Sequence, residues 1–141
     1  MQSGEATIKR VKGGLLHFAQ VGLIVAPMGG VTSVEFRCSG RGFYSQGHLE
    51  EVPAEGYGPW KEGARIGVTF AHRIAALPPC AVVVERIAGL TTDTNPTIVA
   101  VAAARAFWNA IGFQPAAEVV TSLEERMFGS FALGPEHVPD W

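Results

Sequence analysis

The spacing of hydrophobic positions changes several times along the chain, and each change marks an element. Residues 6–12 (ATIKRVK) carry three basic residues and read as an edge strand that stops at Gly13-Gly14. Residues 18–26 (FAQVGLIVA) form a second strand, closed by Pro27. Residues 32–38 (TSVEFRC) again alternate with period two. The short turn around Met28-Gly29-Gly30 predicts that these last two strands pair as an antiparallel hairpin. Residues 39–47 are glycine-rich and read as a loop. From Pro59 to Leu77 the period lengthens to that of a helix, with Pro59 suited to its first position. Gly63, Gly67 and Ala71 make a small-residue stripe beside an apolar one of Ile66, Phe70, Ile74 and Leu77. Residues 80–87 (CAVVVERI) read as an interior strand. Asn95 is then a good N-cap, Pro96 a good first residue and Gly112 a good stop for a helix over 96–111, whose strongly polar positions are Arg105 and Asn109. Residues 117–128 could form a strand or a helix.

The order β-β-β-α-β-α predicts an α+β fold: a four-stranded, mainly antiparallel sheet with two helices on one face. Residues 1–114 would form the domain, and residues 115–141 an extension packed on it.

Composition narrows the possibilities. At 141 residues the chain suits one domain. It is 48% apolar but only 17% charged, below the usual quarter or so, with net charge −2. No broad positive field is available for DNA, and any nucleic-acid contact must be local. No apolar run is long enough to span a bilayer, so no membrane partner is expected. The start MQSGEATIKR lacks the basic-then-apolar order of a signal peptide. Cys38 and Cys80 are too few for a disulfide framework and read as buried thiols in a reducing, cytoplasmic setting.

Chemical motifs are sparse. There is no phosphate-binding loop, and Gly40-Arg41-Gly42 reads as a turn. His17, His48, His72 and His137 lie far apart, with His72 read as a solvated or helix-capping residue; no metal or other cofactor is expected. Glu85 and Arg86, adjacent on a strand, are expected on opposite faces. Asp93 reads as a turn residue and helix-dipole acid. Trp60, Trp108 and Trp141 read as exposed.

Four stretches together resemble domain IV of elongation factor G. Gly13-Gly14-Leu15-Leu16-His17-Phe18-Ala19-Gln20-Val21 lines up without a gap on that family's GGRGQYGHV. Val34-Glu35-Phe36 matches an apolar–acid–Phe strand ending. Val52-Pro53, Tyr57, Pro59 and Gly63 parallel the stretch that opens its first helix, and Asp93-Thr94-Asn95 with Ala106-Phe107 parallel the second. The resemblance covers roughly residues 8–112. It implies a split β-α-β sandwich with a left-handed crossover, and two tip loops that contact ribosomal RNA in the family. Those loops map to Gly13, Gly14, Leu15, Leu16, His17 and Phe18, and to a second loop containing Thr91, Thr92, Asp93, Thr94 and Asn95. Where the family has its tip arginine, this chain has Leu15, and no GTPase motif accompanies it.

Three functions are therefore weighed. The first is a non-catalytic module for protein–protein contact or self-association, favoured by low charge, the three tryptophans and the apolar second helix. The second is a ribosome- or RNA-contacting protein, using the tip loops and a basic patch of Lys9, Arg10 and Lys12. The third, most remote, is a small-molecule enzyme in which His17, Asp93 and Glu85 would have to meet through the fold.

Overall fold

Gly13 and Gly14 both take positive φ, 61° and 78°, the geometry of a two-residue hairpin turn that follows strand twist. In the computed structural model, which describes residues 1–43 and 48–141, this turn joins β1 (Gln2–Lys12) to β2 (Leu15–Pro27). The two strands pair antiparallel from Lys12↔Leu15 to Gln2↔Val25. The tight hairpin therefore lies one strand earlier than the turn at Met28 predicted.

After Pro27 the chain does not fold back on β2. It passes to the far side of β6 (Cys80–Leu90), where β3 (Ser33–Phe36) runs parallel to it. β6 itself pairs antiparallel with β2. Beyond β3 the outer flank of β6 is continued by β5 (Leu49–Glu51), antiparallel, and β5 is edged by the two-residue β4 (Gly42–Phe43). Among the described residues the sheet thus has six strands rather than four, in an α+β arrangement. Of the loop expected over 39–47, β4 takes two residues, and residues 44–47 lie outside those described.

The change of partner along β6 coincides with a bulge. Gly22 pairs with Arg86 and Leu23 with Val84, leaving Glu85 as an extra residue. β3 ends against Val84, and the next bond on that flank runs from the Val52 N–H to the Ile87 carbonyl. The bulge also overrides simple alternation. Glu85 and Arg86 are both exposed, and Arg86 reaches Glu51 at 2.8 Å and Gln20 at 3.1 Å. The expectation of opposite faces for this pair is corrected accordingly.

Among the described residues three helices, not two, accompany the sheet: α1 (Gly58–Ala75), α2 (Pro96–Ile111) and α3 (Ala117–Phe128), followed by a short 3-10 turn over Ser130–Leu133. α2 packs under β1 and β2, with α1 against it and α3 on its other flank. Thirteen of the sixteen residues of α2 are buried, so its apolar character is that of a central helix and not of a docking face. The α1–α2 contact uses the small stripe: Gly63 lies against the Pro96 carbonyl and Gly67 against the Ala100 carbonyl. The tryptophans are not exposed. Trp108 is buried with its indole N–H on the Ala71 carbonyl, Trp60 is buried, and Trp141 packs half-buried against Phe70. Two supports for self-association drawn from sequence, the tryptophans and the apolar helix, are therefore removed.

Cys38 and Cys80 are buried and free. Burial pushes both thiols up from their ordinary range, against a small opposing effect of Lys61 on Cys38, so they act as small apolar side chains. His72 sits at the end of α1, with Nε2 3.0 Å from the Pro78 carbonyl. Among the described residues no helix is long and apolar enough to cross a membrane.

Candidate functional site

The two loops singled out by resemblance meet at one end of the sheet. The Phe18 N–H donates to the Asp93 carbonyl at 2.8 Å. Thr94 Oγ1 donates back to the Phe18 carbonyl and accepts from the Leu90 N–H at 2.8 Å. The Thr91 N–H and hydroxyl both donate to the His48 carbonyl, which brings the start of β5 to the same end. The tip is therefore a single assembly cross-linked through the backbone.

Its polar side chains mostly point inward. Asn95 caps α2, accepting from the Ile98 N–H at 2.9 Å, while its amide donates to Ser130. Thr94 and Asn95 are both buried. His17 is only 1% exposed, opposite Arg10 in the hairpin, with Nδ1 3.3 Å from the Arg10 carbonyl. Phe128 and Phe131, from the C-terminal extension, close over its ring at 5.1 and 4.8 Å. Among the described residues, its Nε2 is the one buried side-chain N or O atom without a hydrogen-bond partner. An imidazole that leaves a donor or acceptor unmet is replaceable by an apolar group of similar volume. We expect His17→Leu to be neutral or to stabilise by up to about 1 kcal/mol, and His17→Ala to lose roughly 2–3 kcal/mol through the cavity left, both read from urea unfolding.

The basic patch does not hold together as one surface. Strand alternation turns Arg10 and Lys12 toward α3, where Arg10 lies 5.3 Å and Lys12 4.8 Å from the Phe128 ring centre. Arg10 also pairs with Glu124 at 3.6 Å, which Arg105 shares at 3.2 Å. Lys9 alone of the three projects from the opposite, open face, beside Phe18 in the register.

The tip offers solvent large apolar side chains as well as the exposed Lys12. Val11 is 70% and Leu15 52% exposed, on opposite faces of the hairpin by its register, and Leu16, Phe18 and Leu90 are half-buried. Gly13, Gly14, Thr91 and Thr92 are exposed between these side chains, and Asp93 is half-buried. Val11 was missed as a site residue. The signal lay in alternation, since Val11 shares the outward phase of Lys9.

The remaining candidates for chemistry do not converge. His17 faces the helices, and Glu85 lies on the bulge level with Gly22 and Leu23. Five residues of β2 separate the two levels, about 17 Å at ~3.4 Å per residue. No family model and no curated protein matches the chain. Among solved structures, its fold is similar to a crystal structure of a protein from Thermus thermophilus, at 18% identity and a TM-score of 0.59. The match covers 89% of this chain and 20% of the Thermus chain, so the chain spans about one fifth of that neighbour's length.

Proposed function

We propose that this chain is a non-catalytic interaction module with a translation-factor-type fold, docking a protein partner through its tip and the adjoining open face of the sheet. The observation that carries this is the division of labour at the tip. His17, Thr94 and Asn95 are turned inward, while Val11 and Leu15 face solvent. An RNA-reading loop needs free donors, cations or stacking rings, whereas large exposed apolar side chains are what a protein interface buries. A solved neighbour in which this fold occupies one fifth of a long chain agrees with a domain of the elongation factor G type. On this reading the connection from β3 through α1 to the parallel β6 is left-handed, against the usual rule. The two free thiols agree with a reducing, cytoplasmic setting.

The test uses wild-type chain and a Leu15→Asp variant as paired baits, with protein and RNA analysed in both eluates. A protein retained by the wild type and lost, by at least about tenfold, with Leu15→Asp is the expected result, since a charge placed in an apolar contact is strongly penalised. RNA held equally by both baits would overturn it. Affinity that falls steeply with salt and on replacing Lys9, Arg10 and Lys12 would then make the chain a ribosome- or RNA-contacting protein. The specific observation favouring that alternative is Lys9 beside the half-buried ring of Phe18. Catalysis has the weakest support, given the separation of His17 from Glu85.

A further inference from the structure

We propose that the free edge of β1 pairs with the same edge of a second copy of this chain, antiparallel and centred on Thr7. β1 is bonded to β2 on one side and, among the described residues, to no strand on the other. The two-residue turn makes Lys12 and Leu15 a hydrogen-bonded pair, so Gly4, Ala6, Ile8 and Arg10 also turn their backbone groups toward β2. Those of Ser3, Glu5, Thr7, Lys9 and Val11 face outward. The Asn109 amide fits this phase, donating to the Glu5 carbonyl from the outer side at 2.8 Å. An open groove of about 460 Å³, lined by Ala6, Thr7, Trp108, Phe113 and Val120, lies beside this edge.

Charge selects the register. Outward-facing residues must oppose outward-facing residues. Centred on Glu5 or Lys9, the pairing sets like charges against each other. Centred on Ala6 or Ile8, it sets each charge opposite an uncharged residue. Centred on Thr7, it places Glu5 opposite the partner's Lys9 and Lys9 opposite the partner's Glu5, with threonine facing threonine. The Glu5 carbonyl has a second lone pair, so it can keep Asn109 and still accept the partner's N–H. A long edge strand carrying a lysine is ordinarily a guarded edge; here the same lysine finds its counter-charge in another copy. The surface is distinct from Leu15, which lies on β2.

Sedimentation of the full chain over rising concentration tests this. The apparent mass should climb from 15.0 kDa toward twice that value. Lys9→Glu should weaken the dimer about tenfold, because the two-fold repeats the reversed pair. Glu5→Lys should also weaken it, although this change additionally faces Arg86 across Gly22. The double exchange should restore association to within about threefold of wild type. Thr7→Pro removes an N–H that β2 does not use and should abolish the dimer with the circular dichroism unchanged. Leu15→Asp should leave it intact, which separates this surface from tip docking. A monomer at every concentration, or a dimer indifferent to both Lys9→Glu and Thr7→Pro, would overturn the proposal; if Thr7→Pro fails to fold, the charge-exchange cycle decides alone.

Discussion

Gly67→Leu is expected to abolish stable folding, and Gly67→Ala to destabilise by at least about 3 kcal/mol, more than a typical overpacking change. A Cβ at this position is directed onto the Ala100 carbonyl of α2, which is main chain and cannot rotate away. Nor can α1 simply move outward. One turn earlier, Gly63 lies against the Pro96 carbonyl in the same way, so separation must open the whole interface. That interface covers the buried stripe of α1, including Trp60, Ala64, Val68 and Ala71. Thr69, exposed on the other side of the helix, supplies the control: Thr69→Ala should change stability by no more than about 0.5 kcal/mol. Chemical denaturation with an unchanged slope would show that the loss belongs to the native state. A Gly67→Ala protein as stable as wild type would contradict the close packing of α1 on α2.

Thr94→Val is expected to lower stability by about 2–3 kcal/mol while preserving side-chain volume. The substitution removes one hydroxyl, and with it the partner of two backbone groups, the Phe18 carbonyl and the Leu90 N–H. Thr94 is only 5% exposed, so water cannot readily take over both bonds. The effect should be concentrated at the tip. Amide exchange should accelerate roughly thirtyfold at Leu90 and at Phe18, whose own N–H holds the Asp93 carbonyl, as a loss of about 2 kcal/mol implies. Val25, paired with Gln2 at the opposite end of the hairpin, should not respond. Uniform acceleration along β2 would mean that the hydroxyl supports the whole sheet and does not specifically join the two loops.

Local signals in the sequence were the most informative. Asn95, Pro96 and Gly112 bound α2 because capping, a fixed φ and a left-handed stop act within a few residues. The small stripe of α1 marked its contact surface for a similar reason. Its bulkier neighbours did not: Ile66, Phe70 and Ile74 are only half-buried, because the closest approach belongs to the glycines. Partner choice between strands was harder to read. Nothing in residues 28–38 distinguishes folding back on β2 from crossing to β6, since both partners are β-branched and apolar. At the tip, the residues that meet were identified by resemblance, but their orientation was not. His17 is covered by Phe128 and Phe131, more than a hundred positions away, and only tertiary packing shows that a polar side chain there is internal. The basic patch divided because three nearby cations on a strand occupy two faces.

The extra residue at Glu85 has a consequence for how β6 is written. Below it, the even positions Val82 and Val84 are buried; above it, the odd positions Ile87 and Gly89 are, with the small Ala88 between them buried as well. The strand is two short phrases in opposite phase, and Glu85 is the beat between them. A hydrophobicity pattern carried through at constant phase would place Ile87 in solvent and Arg86 in the core. One inserted residue thus lets a continuous backbone serve two partners, β3 at the base and β5 at the tip, without either half turning its apolar side outward.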